Sequence, residues 1–102
     1  MKIYYLDIDK TICTCTDGQY QLAKPLNKNI KKINKLYDEG NTIIYWTARG
    51  TVTQIDWLDT TKKQLKDWGA KCHDVRVGKP HYDYFICDKA INSRIFFSKE
   101  EN

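Results

Sequence analysis

The sequence predicts an α/β fold: a mostly parallel sheet of about five strands, with helices on both faces, making a three-layer sandwich. Three observations lead there. Short apolar runs alternate with amphipathic stretches from one end of the chain to the other, the pattern of repeated strand–helix units. The run at residues 42–47 is apolar at odd and even positions alike, as in a parallel strand covered on both sides. Several of these runs stop at polar side chains, where an open parallel sheet places its binding crevice.

The elements follow in order. Residues 3–8 form a compact apolar strand that stops at Asp7 and Asp9. Residues 12–26 read as a polar loop, with Asp17-Gly18 as a turn and Pro25 near its end. Ile30, Ile33, Leu36 and Tyr37 recur at helical spacing, with Asn27 as the expected N-cap and Gly40 just past the end. A second strand at 42–47 leads into a turn at Thr47-Ala48-Arg49-Gly50. A second helix is expected from about 54 to 68, with Leu58, Thr61, Leu65 and Trp68 on one stripe and Gly69 as its stop. Residues 72–77 read as a third strand and 84–87 as a fourth, ending at Asp88. Residues 90–93 read as a helical turn, 94–97 as a fifth, edge strand, and 98–102 as a charged tail.

Composition bounds the function. The 102 residues make one domain, spanning 1–102, with a single modest core. Seventeen basic residues against 13 acidic give +4, which suits anions such as phosphates but is too small to argue for nucleic acid. No apolar run approaches a membrane span, and Asp7 interrupts any signal-peptide core, so a cytoplasmic protein without a membrane partner is expected. Cys13, Cys15, Cys72 and Cys87 are then reduced thiols, and their spacing is not that of a zinc site.

The chemistry concentrates at the strand ends. Side chains two apart on a strand point the same way, so Asp7 and Asp9 share one side of the first strand end. Folding gains nothing from two repelling carboxylates, whereas a divalent cation or a proton transfer requires them. Thr47 and Arg49 end the second strand, Asp88 ends the fourth, and Lys79 lies in the loop before it.

These segments resemble the four motifs of the haloacid dehalogenase-like phosphohydrolases. Asp7-Ile8-Asp9-Lys10-Thr11 matches the Asp-x-Asp-x-Thr motif, Thr47 the second, Lys79 in Val77-Gly78-Lys79-Pro80 the third, and Asp88 after an apolar strand the fourth. More narrowly, Trp46-Thr47-Ala48-Arg49-Gly50, residues 78–83 and residues 88–92 look like a small capless branch often associated with capsule or other surface-polysaccharide biosynthesis. The resemblance implies a Rossmann-like core without a cap domain, and a magnesium-dependent phosphatase acting on a small phosphorylated sugar or polyol. Magnesium would be held by the Asp7 carboxylate, the Asp9 main-chain carbonyl and the Asp88 carboxylate. Asp7 would be the nucleophile, Asp9 the acid and base, and Thr47 and Lys79 the catalytic partners of the phosphoryl group. Thr11, Thr47, Ala48, Arg49 and Lys79 would line the substrate site. Asn92 stands where many members carry a second acid and would hold a metal-bound water. Lys10 stands where glycine is common and adds positive charge near the mouth.

Other readings stand beside these. Asp7 and Asp9 alone suit a turn or a structural calcium site. Arg49 suits either a substrate contact or a structural salt bridge. His73 and His81 default to surface roles, with His81 close enough in sequence to Lys79 to touch a leaving group. Trp46, Trp57 and Trp68 read as packing between helices and sheet. A nucleic-acid end phosphatase would need a basic, aromatic-lined track, and a non-catalytic metal or phosphate module would not need Asp9. Neither the loop at residues 12–26 nor the stretch between the third and fourth strands is long enough for a cap domain, so the site should be open. The Asp17-Gly18 loop is the local lid candidate, and a second subunit an alternative cover.

Overall fold

The computed structural model describes residues 1–98; the end of the expected charged tail lies outside them. The elements are β1 (Ile3–Leu6), a 3-10 turn (Tyr20–Leu22), α1 (Asn27–Asp38), β2 (Thr42–Trp46), α2 (Leu58–Asp67), β3 (Asp74–Arg76) and α3 (Ser93–Ser98). The three strands form one parallel sheet in the order β1-β2-β3. Leu6 pairs with Tyr45, and Tyr45 with Val75, so all three strands run their carboxyl ends to the same edge. No helix among the described residues is long and apolar enough to cross a membrane.

One apolar cluster holds the molecule together. Leu6, Ile43 and Tyr45 of the sheet meet Ile30 and Ile33 of α1 and Leu65 of α2, with Ile8, Ile12 and Cys13 closing the end near the site. Phe96 and Phe97 of α3 pack against the same cluster. On the opposite side of β1, Ile3 and Tyr5 remain 69% and 54% exposed. The described helices therefore load one face of the sheet, where the sequence predicted both.

Local chemistry sets the element ends. After α1, Gly40 takes a φ of +94°. Asn41 N–H then reaches back to the Leu36 carbonyl, satisfying an orphan acceptor. Gly69 does the same after α2, with Ala70 N–H on the Leu65 carbonyl. Asn27 is the first residue of α1 rather than its cap. The second helix begins at Leu58 rather than near 54. Gln54 stands at φ +62°, outside helical backbone, and the Asp56 carboxylate accepts from Leu58 N–H at 2.9 Å.

The C-terminal third departs most from expectation. Residues 84–87 form no strand, and Tyr84 and Ile86 are 88% and 98% exposed. Residues 94–97 belong to α3, not to an edge strand. The Asn92 side chain accepts from Arg94 N–H at 2.9 Å, and its carbonyl accepts from Ile95 and Phe96. That cap turns a β-favouring run into a helical turn.

Candidate functional site

A cleft of about 440 Å³ opens at the carboxyl edge of the sheet. Its floor carries Asp7, Asp9, Thr47, Ala48, Arg49 and Lys79, and its walls include Gly18, Tyr20, Gly50, Thr53, Trp57, His81 and Tyr82. Most of the predicted site residues are thus brought together, and Gly18 borders them.

Lys79 is placed by its backbone. Its N–H donates to the Thr47 carbonyl at 3.2 Å, and its carbonyl accepts from the Thr51 hydroxyl at 2.7 Å. The Lys79 ammonium then reaches across the cleft to the Asp7 carboxylate. Burial alone would depress the lysine, but the Asp7 carboxylate and the Tyr82 hydroxyl outweigh it and hold Lys79 above its ordinary value. Thr47 is 3% exposed, and its hydroxyl accepts from Arg49 N–H at 3.1 Å, which fixes the turn after β2.

Arg49 has a different character. Its guanidinium is fully buried and grips Asp9 with two parallel bonds, Nε to Oδ2 at 3.0 Å and Nη2 to Oδ1 at 2.9 Å. Nη1 donates to the Thr61 hydroxyl and to Gln64 Oε1, at 3.0 and 2.6 Å. Nη2 also lies 3.7 Å from the Cys13 thiol. A guanidinium has five N–H donors, and every one has a protein partner here. Arg49 therefore locks β1's end to α2 and offers no spare donor to a substrate. Desolvation, with the Asp9 charge, pushes the Cys13 thiol up to about 12, so it stays protonated between Ile8, Asp9 and Arg49.

The remaining predicted residues fall elsewhere. Thr11 is 7% exposed and sits beneath the loop, its carbonyl accepting from Asn29. Lys10 adopts φ +65°, a left-handed conformation that glycine takes without cost. Asn92 caps α3. Asp88 is exposed beside Cys87 and does not line the cleft. Among the described residues no three His, Cys, Asp or Glu side chains cluster as a metal site requires. The expected magnesium donors are the Asp7 carboxylate, the Asp9 main-chain carbonyl and the Asp88 carboxylate. Asp7 is paired with Lys79, and Asp88 lies outside the cleft, so the residues as placed do not bring that set together.

Reasoning from sequence missed Tyr20 and Trp57 as cleft residues. Their rings meet edge to face at 5.0 Å, with the Arg49 guanidinium 4.7 Å from the Tyr20 ring. Tyr20 lies two residues after Gly18 of the Asp17-Gly18 turn, which was the available signal. His73 proved structural: its Nδ1 accepts from Ile43 N–H at 3.1 Å and its ring stacks on Tyr37.

No family model matches the chain, and no curated protein matches it. Among solved structures, the crystal structure of an MCSG target from Vibrio cholerae superposes with a TM-score of 0.86 at 24% identity. The match covers 98% of this chain and 90% of that one, so the two share their fold.

Proposed function

We propose that this chain is a phosphohydrolase that removes phosphate from a small phosphorylated sugar or polyol. The observation that carries the reading is the corner made by Asp7, Lys79 and Thr47 at the parallel strand ends. A carboxylate, a cation held by its own backbone and a buried hydroxyl face one open cleft.

The chemistry runs on these residues. An Asp7 oxygen attacks phosphorus, the ester P–O bond breaks, and its electron pair leaves with the alcohol oxygen. For this step Asp9 first takes a proton from solvent as one of its two bonds from Arg49 opens; it then passes that proton to the leaving oxygen and is left as a carboxylate. Water then attacks phosphorus in the aspartyl-phosphate, Asp9 takes the proton, and phosphate departs from a restored Asp7 carboxylate. Lys79 lowers the repulsion between the Asp7 carboxylate and a dianionic ester. The resemblance couples such chemistry to magnesium. Because the donors are dispersed here, no step is assigned to a metal.

Asp7→Asn keeps shape and removes the nucleophile. A screen of phosphorylated metabolites, run with and without added magnesium, should show turnover by the wild type and a loss of about 10⁴-fold or more in the variant. Undiminished turnover by Asp7→Asn sinks the reading. Phosphate-ester binding without turnover by the wild type assigns the chain to the non-catalytic class instead.

A further inference from the structure

The cleft has a polar floor but aromatic walls, and the floor chemistry uses none of them. Trp57 is half-buried and borders the cleft beside Gly50. Its indole is fixed on two sides. The Tyr20 ring meets it edge to face at 5.0 Å and 86°. Gly50 lies so close that a Cβ there would come within 3.3 Å of the indole Cδ1. Tyr20 is itself anchored, because the Gln64 amide donates to its carbonyl at 2.6 Å. The cleft lining also carries hydrogen-bonding side chains: Thr53, His81 and Tyr82.

We propose that the cleft recognises a ring-closed sugar phosphate, with the apolar C–H face of the sugar on the Trp57 indole and its hydroxyls toward Thr53, His81 and Tyr82. The ester is taken from the phosphohydrolase reading; the preference for a ring comes from the walls alone. A pyranose presents a persistent flat apolar patch and a rim of hydroxyls, matching a cleft lined by both a rigid indole and polar side chains. The corresponding open-chain polyol has the same carbons, with the ring oxygen replaced by one more hydroxyl, but no fixed flat face. Ordering its rotors on binding costs affinity.

The test compares glucose 6-phosphate with sorbitol 6-phosphate, which differ mainly in ring closure. Calorimetric Kd values are measured on the Asp7→Asn protein, where turnover cannot interfere. The ring form should bind about tenfold tighter, and that ratio should fall toward one when Trp57→Ala is added. Trp57→Leu keeps bulk without the flat π face; it is measured in parallel and replaces Trp57→Ala if that variant does not fold. A ratio near one before the Trp57 change, or a ratio that survives it, overturns the proposal. Cyclohexyl phosphate has the ring without the hydroxyls. Binding as tight as glucose 6-phosphate would overturn the sugar assignment, and weaker binding supports it. Failure of the wild type to hydrolyse acetyl phosphate counts against the phosphohydrolase reading and leaves the binding ratio to judge the ring preference.

Discussion

Two stretches were expected to build one site, and they differ in how completely their polar groups are partnered. Around Asp9 and Arg49, donors and acceptors are paired inside a buried frame of β1's end, α2 and the Tyr20 loop. Between residues 82 and 91, the chain is exposed, joins no strand, and carries Asp88 outside the cleft. Preorganised charge lowers a barrier because nothing must reorient as the reaction proceeds. In the first stretch only one Arg49–Asp9 bond has to open while the bonds to Thr61 and Gln64 stay in place; the second stretch has no such frame. The Asp7–Lys79–Thr47 corner belongs with the first, since backbone bonds to β2's exit hold Lys79 in place.

Substitutions can break this contrast, and the largest effect is expected at Arg49. Arg49→Met would strand the Asp9 carboxylate with Thr61 and Gln64, costing about 3–5 kcal/mol as for a broken buried pair. Chemical denaturation measures it, and a loss below about 1 kcal/mol would mean that the frame is not what organises this edge. Lys79→Met comes next, with turnover expected to fall by about 10²–10³-fold. Its ion pair also has a pH signature. The folded pKa of Lys79 lies above the unfolded one, so its contribution is fully present below the unfolded value and is lost as pH rises through the folded one. Alkaline unfolding curves of wild type and Lys79→Met should therefore converge at high pH.

Gly50→Ala is expected to cost about 1–3 kcal/mol. The φ of +82° disfavours a side chain, and the new Cβ would lie 2.0 Å from the Ile55 carbonyl oxygen, so the Trp57 wall must shift. Thermal melts read the stability, and an unchanged melting temperature would show that the turn relaxes freely. The smallest effect is expected from Asp88→Asn, within about 0.5 kcal/mol in stability, as for other exposed positions. Its turnover should also exceed that of Lys79→Met. A loss equal to that of Asp7→Asn would show that Asp88 enters the cleft in the working molecule and would erase the contrast.

What the sequence made legible follows from what periodicity encodes. The runs at β1 and β2 and the stripes of α1 and α2 are local patterns, and they placed Asp7 and Thr47 at one sheet edge. Lys79 was expected before a fourth strand that does not form, and reaches that edge through Thr47 and Thr51. Gly40 and Gly69 marked two helix ends through the backbone they permit. Arg49's saturation was not legible, because its partners Asp9 and Cys13 follow β1 while Thr61 and Gln64 lie on α2, two segments separate from its own. Trp57 read as packing because an aromatic beside a helix usually is. Residues 84–87 have strand composition, yet strand composition does not supply a neighbour to pair with. The helical cap at Asn92 was visible in principle, but Ile95, Phe96 and Phe97 read as β-favouring.

The central claim is that Asp7 itself receives the phosphoryl group. Acid quenching during turnover of ³²P-labelled acetyl phosphate, followed by peptide mapping, tests it directly. The account predicts acid-stable label on the N-terminal peptide that contains Asp7, absent in Asp7→Asn. Turnover with no label on that peptide, or label on another residue, would contradict it.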